Sequence, residues 1–278
     1  MTLEQWMLGS VAALLIGFSK TGMPGAGILV VPLLAHAFGP RQSVGVMLPM
    51  LIFADVFAVI WYRRHAQWDK LIRLAPWVVV GMALGALALK LLGENPNGKA
   101  DMGRLVGGLV LAMLAVHVGR KRWGDRLAPH SATGAGAVGM AAGFTTTASN
   151  AAGPVMSVYL QSMGMPKDQF LGTAAWFFFM VNLSKLPVFV LLTWSNPANP
   201  MITSGSLLHD AMLCPIILAG VFLGRWVLPR IRQELFDAAV LTLAGVAAVM
   251  LLMQAPQRTP RGPELTAPRT GGYKAIGR

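Results

Sequence analysis

The chain has one cysteine, Cys214, so it holds no internal disulfide and no multi-cysteine metal cluster. In an apolar run, that residue is expected to be small and buried. Charge is also scarce: acidic residues number 11 among 278, and charged residues of both signs make up only 12%, where a soluble domain carries about 25%. Hydrophobic residues reach 55% and the mean hydropathy is +0.58. That is more apolar surface than a soluble domain of this length could bury, and it reads as an all-α polytopic membrane protein. No basic stretch precedes the first apolar run, so a cleaved signal peptide is not expected. No His-Glu or Cys-His spacing suggests a metal, no serine or cysteine has an identifiable triad partner, and no cofactor is called for.

What charge there is lies between the apolar runs and is mostly positive, for a net +12. In a membrane protein this marks cytoplasmic loops, not a nucleic-acid surface. A spanning helix needs about 20 apolar residues. Regions 3–38, 44–62, 71–92, 103–118, 134–163, 170–194 and 207–253 meet or approach that, and the cluster Arg225, Arg230 and Arg232 divides the last into two. Tryptophans 6, 61, 68, 77, 123, 194 and 226 fall mostly at run ends, as an aromatic belt does. From Gln254 the composition shifts to Pro, Gly, Thr and Arg, and the tail over 256–278 is expected to be disordered.

Two regions do not fit one span. Region 3–38 would be about 54 Å long as one helix, yet two full spans with a turn would each be short, and 134–163 poses the same problem. Both are interrupted by polar, glycine-rich stretches, Gly17 to Gly27 and Gly143 to Gly153. Each is read as a discontinuous or re-entrant helix pair whose unwound turn lies inside the membrane. Further matches, Pro40-Arg41 with Pro166-Lys167 and Pro76-x4-Gly81-x3-Gly85 with Pro215-x4-Gly220-x3-Gly224, extend the likeness. They divide the chain into homologous membrane repeats over 1–125 and 126–255. The loop after the second region carries Arg63, Arg64, Lys70 and Arg73, whereas its mate from Trp194 to His209 carries no Lys or Arg. The positive-inside rule puts these mates on opposite sides, which favours an inverted repeat over a parallel one. The basic linker Arg120 to Arg126 would then be cytoplasmic, although the same arrangement leaves the basic tail outside.

Freed backbone in a bilayer costs several kcal/mol per group, so broken helices are tolerated where they line a cavity or meet a ligand. A helix start after such a break presents N–H groups and partial positive charge, which suits an anion. Ser19, Thr21, Gly22, Gly25 and Gly27 in the first break are candidate substrate contacts, with Thr146, Thr147, Ser149, Asn150 and Gly153 in the second. Thr145 adds a further hydroxyl. The alternative for all of them is packing. The first break keeps more glycines and carries Lys20, whereas the second has Ala148, Ala151 and Ala152 and offers hydroxyls and Asn150; the first reads as the stronger half. Lys185, deep in 170–194, is either an interior cation facing an anion or one that snorkels to the interface. Asn182 sits one turn away on the same face. Lys20 is a second candidate cation or an ordinary surface charge. Asp55 is buried in an apolar run and, allowing one inserted residue, corresponds to Asn182. It is a candidate coupling carboxylate, or the ion-pair partner of Lys185 or Lys20. His36 and His117 read as interfacial.

Gly17-Phe18 with Gly22, Gly25 and Gly27 before Val31-Pro32-Leu33-Leu34, the copy from Gly143 to Gly153, Gly172-Thr173 leading to Asn182-x2-Lys185-x-Pro187, and the paired Pro-x4-Gly-x3-Gly steps together resemble the sulfite exporter TauE/SafE family of membrane permeases. The resemblance covers nearly the whole chain to about Met253. It implies transport of small sulfur-containing anions, sulfite or organosulfonates. The expected function is therefore a secondary anion transporter, multi-pass in a bacterial-type inner membrane, whose partners are its anionic substrate and the lipid bilayer and not nucleic acid. The competing classes are an anion channel, a membrane-embedded enzyme and an assembly scaffold.

Overall fold

In the computed structural model, the described residues are 2–92 apart from 25 and 39, a few positions between 104 and 115, 132–195 apart from 151, and 197–253 apart from 198 and 199. Region 103–118 is described only in part. The basic linker, His117, Trp123, Gly25 and the tail over 256–278 lie outside the described residues.

The described chain is helical. In order come α1 (Leu3–Thr21), a 3-10 turn (Ala26–Leu29), α2 (Val30–Phe38), α3 (Pro40–Tyr62) and α4 (Trp68–Leu92). Then follow α5 (Ala132–Ser149), α6 (Ala152–Ser162), α7 (Lys167–Ser195), α8 (Ser204–Val227) and α9 (Gln233–Leu252). Among the described residues, 5 helices are long and apolar enough to cross a membrane, corresponding to α3, α4, α7, α8 and α9. Their outer faces are apolar: Ile72 and Val79 on α4 and Leu208, Met212 and Phe222 on α8 are more than half exposed. A face of this kind belongs in lipid, and the protein is an all-α, multi-pass membrane protein. Prolines 49, 76, 187 and 215 lie inside helices, which neighbouring helices in a membrane tolerate better than water does.

Both long regions are broken near the glycine-rich stretches. Thr2 opens α1 with a capping box to Gln5. The helix stops at Thr21, where both Gly22 and Met23 donate their backbone N–H to Phe18 O. The chain then returns: Gln5 Nε2 donates to Ala37 O at 3.1 Å, and His36 on α2 lies 3.2 Å from Glu4 on α1. Regions 3–21 and 30–38 thus form a hairpin, with a first arm of about 28 Å and a second that is much shorter. His36 is largely exposed and pairs with Glu4. The second break falls at Asn150, which adopts a φ of 54°, a conformation that asparagine tolerates better than most residues. The 11 residues of α6 make about 16 Å, roughly half a bilayer.

Contacts between glycines and backbone set the helix directions. A Cβ on Gly17 would stand 2.1 Å from Ile217 O, and one on Gly220 would stand 2.2 Å from Leu14 O. Gly143 faces Val78 O in the same way and Gly81 faces Met140 O, each at 2.1 Å. Helix α1 therefore runs parallel to α8 at backbone contact, and α5 runs parallel to α4 in matching register. Such approach is open only to glycine. Helices α3 and α7 instead run antiparallel. Gln67, just after α3, donates its N–H to Thr173 near the start of α7. Leu48 early in α3 clusters with Phe189 late in α7.

The two ends of the bundle differ in charge. Arg63 and Arg64 follow α3, Lys167 Nζ caps the carbonyls of Leu228 and Ile231, and the Arg225 guanidinium lies 4.7 Å from the Trp61 ring. These basic residues share one end. The opposite end has fewer: it holds Glu4, His36 and the α7–α8 connection, which has no Lys or Arg, together with Arg41 at the start of α3 and Lys90 near the end of α4.

Candidate functional site

The two breaks meet across a cavity that α3 and α7 complete. The cavity offers about 90 Å³ for the centres of water-sized spheres. One water needs about 10–15 Å³ on that measure. A small oxyanion or a short sulfonate fits this space, and a nucleotide does not.

Its walls are composed of residues spaced as the sequence repeat is spaced. Lys20 and Thr146, Pro24 and Asn150, Gly27 and Gly153, and Val31 and Ser157 all line it, each pair 126 apart. From α3 and α7 come Met47 with Ala174 and Leu51 with Phe178, each pair 127 apart. One turn beyond the second of these pairs, Asp55 Oδ2 accepts a hydrogen bond from Asn182 Nδ2 at 2.7 Å. The correspondence of Asp55 with Asn182 in sequence is thus also a contact in space.

Two ammonium groups serve the cavity, and they are treated differently. Lys20 Nζ lies 2.7 Å from Asp55 Oδ1, and it sits 4.3 Å from the centre of the Phe178 ring. Asp55 is completely buried and is committed to Lys20 and Asn182, not to Lys185. Lys185 is 1% exposed, which rules out snorkelling. Its Nζ donates to Asn150 Oδ1 at 2.6 Å, to Thr146 Oγ1 at 3.1 Å and to Thr146 O at 3.4 Å. All three acceptors are neutral, and among the described residues Lys185 makes no ion pair. Asn150 is held in place from its other end, where Nδ2 donates to Val44 O at 3.3 Å. The sequence offers Asn150 as a donor to the substrate; in the structure its oxygen is an acceptor for Lys185.

Of the sequence candidates, Ser19, Lys20, Gly27, Thr146, Asn150, Gly153, Asn182 and Lys185 line the cavity. Thr21, Gly22 and Thr147 lie in the helix seams: Thr21 Oγ1 donates to Val221 O at 2.7 Å, Gly22 abuts Gly224, and Thr147 Oγ1 donates to Gly143 O. Gly25 and the Ser149 side chain lie outside the described residues. Cys214 is only partly buried, because its helix face is turned partly outward. Ser157 and Phe178 line the cavity and were not singled out from the sequence. Both could have been found by carrying the repeat past its glycines, since Val31 and Leu51 are their mates.

Among the described residues no group of three or more His, Cys, Asp or Glu side chains is placed to hold a metal. The chain matches no curated protein and no solved structure. It does match the family described as Sulfite exporter TauE/SafE over residues 10–259, nearly the whole of its length. A helical membrane protein matched over that span belongs to the sulfite exporter TauE/SafE family, a family of membrane transporters.

Proposed function

We propose that this protein is a secondary transporter that carries a small anion, a sulfur oxyanion or an organosulfonate, across a bacterial inner membrane by alternating access. The observation that carries the reading is Lys185: a cation buried in the bilayer region, facing a cavity, with only neutral acceptors. A charge so placed is costly, and a bound anion offsets that cost. The two ammonium groups against the one carboxylate of Asp55 leave a formal excess of one positive charge at the cavity. The substrate contacts in this reading are the cavity-lining residues of both breaks together with Asn182 and Lys185, and Asp55 is the coupling carboxylate.

The halves act in this reading as inverted repeats with re-entrant hairpins, related by an axis through the cavity. Support comes from the antiparallel course of the mates α3 and α7 and from wall residues spaced by the repeat. It comes also from the two matching glycine seams and from the gathering of basic residues at one end. The basic end is then cytoplasmic. Movement of one repeat against the other would open the cavity alternately to the two sides.

The test is transport by purified protein in liposomes loaded with sulfite, thiosulfate, sulfate or a short alkyl sulfonate. Saturable counterflow of one of these, lost in Lys185→Ala, is expected. Conductance without counterflow would show a pore instead, and transport of unchanged affinity in Lys185→Ala would remove the lysine from the site. Cysteine labelling from opposite sides at Ser204 and at Arg64 tests the inversion.

A further inference from the structure

A second buried ionisable group lies away from the cavity, toward the end with few basic residues. His209 and Asp210 are 1% and 5% exposed, yet they stand only six steps into α8. Neither carboxylate oxygen has a hydrogen-bond partner among the described residues, and the polar neighbours of the ring are Asp210 and the Gln5 backbone. The nearest opposite group to each is the other, with His209 Nδ1 3.5 Å from Asp210 Oδ1. The imidazole is boxed by Trp6 and Phe38, at ring-centre distances of 4.6 and 5.4 Å. Gly9 makes room for it, since a Cβ there would lie 2.8 Å from His209 Cε1.

The fold does not demand this pair. The seam between α4 and α5 repeats the seam between α8 and α1, and at the spacing of Pro76 to Pro215 the mate of Asp210 is Leu71. Leu71 is buried in the core. A leucine fills the position on one seam, while on the other an acid stands with no donor, at a cost of kcal/mol that packing does not require.

Among the described residues, the other titratable side chains of that neighbourhood are otherwise engaged or distant. On α1, Glu4 pairs with His36 of α2 at the surface. On α8, Cys214 Sγ is turned to the backbone oxygen of Asp210. The described titratable side chains of α3, Asp55 and Tyr62, lie toward its other end, against Lys20 and Thr21 O. Water at the near end is therefore the source and the sink for a proton at this pair.

We propose that His209 and Asp210 form a proton-binding site, separate from the anion cavity, that exchanges one proton with water at this end, carries none across the membrane, and sets the transport rate by the pH on this side. The charge of the pair changes by one unit as it does so. The link to the cavity is α1, which packs on His209 through Gly9 and carries Lys20 about 16 Å further along. A change of charge under the α1–α2 hairpin alters how that hairpin seats on α8. The regulatory role rests on the transport reading given above, whereas proton binding does not.

Infrared difference spectra of the full-length protein across about pH 5 to 8 test proton binding directly. The expected result is a carboxylic-acid C=O band that titrates in the parent and is missing from Asp210→Asn. Absence of a titrating band, or its persistence in Asp210→Asn, overturns the site. Regulation is read in liposomes as counterflow of labelled sulfite at equal pH on both sides, set at steps from about pH 5 to 8. The parent's rate should change by about tenfold or more across that range beyond the change seen in Asp210→Asn and Asp210→Leu, the latter taking the side chain found at the matching seam, both of which should keep counterflow. A pH profile unchanged in both variants, or loss of counterflow in both, overturns the regulatory role. A parent protein that titrates but moves none of the anions tested would sink the transport reading and leave the proton site standing.

Discussion

The two breaks make the same kind of wall with opposite electrostatics. The first brings its own cation and neutralises it at once, because Lys20 meets Asp55 from the neighbouring α3. The second brings no charge; it offers Thr146 and Asn150 as acceptors to Lys185, which arrives from α7. Read from sequence, the first break is the stronger half for its glycines and its lysine. In the structure the charge left without a counter-ion stands on the second. In the proposed reading the site divides its labour: a closed ion pair stiffens one wall, and an open cation on the other is left for the ligand.

The sharpest way to break that contrast is to open the closed pair. Asp55→Asn leaves Lys20, 12% exposed at the cavity, without its partner and is expected to cost about 3 kcal/mol of stability, measured as a lowered unfolding midpoint in detergent. The double variant Lys20→Met with Asp55→Leu should regain most of it. If the single variant is as stable as the parent, the pair is not what holds that wall. Next in size, Lys185→Ala should reduce anion transport by about a hundredfold, given about 2–5 kcal/mol for a buried charge losing its partner, with little loss of fold. If the fold fails and Lys185→Met restores it without transport, the ligand role survives. Gly17→Ala comes third. Its methyl group would meet the Ile217 carbonyl inside van der Waals distance, and the overpacking should cost about 1–3 kcal/mol. Smallest is Gly153→Ala, where a Cβ meets nothing within 4 Å. Here a gain in helix stability of about 0.5–1 kcal/mol should accompany a modest rise in apparent Km, as the methyl enters the cavity. Equal losses of stability in the two glycine variants would erase the distinction between a seam glycine and a site glycine.

Much of this was legible before any coordinates. Apolar run length located α3, α4, α7, α8 and α9, because crossing a bilayer fixes helix length. Lys185 stood out because a charge deep in an apolar run has few reasons to exist. Other residues misled for a physical reason: Thr21, Gly22 and Thr147 have the residue types of a ligand site, but small and hydroxylic side chains are equally what a close helix seam requires. Spacing cannot separate the two uses; only the neighbour can. His209 and Asp210 passed unnoticed as the edge of a loop, since burial at a helix start depends on what packs over it, here Trp6 and Phe38.

The glycine seams have a consequence for the order of assembly. Helix α1 does not pack chiefly on its sequence neighbours; it zips onto α8, with Thr21 reaching a carbonyl of Val221 about two hundred residues later. At about 5–20 residues per second, the ribosome needs on the order of 10–40 s to deliver that partner. Through this interval the α1–α2 hairpin, with Lys20 near its tip, waits with one glycine face bare. Helices α1 to α7 lack the partner for that face, so α1 takes its final seat only once α8 has been made.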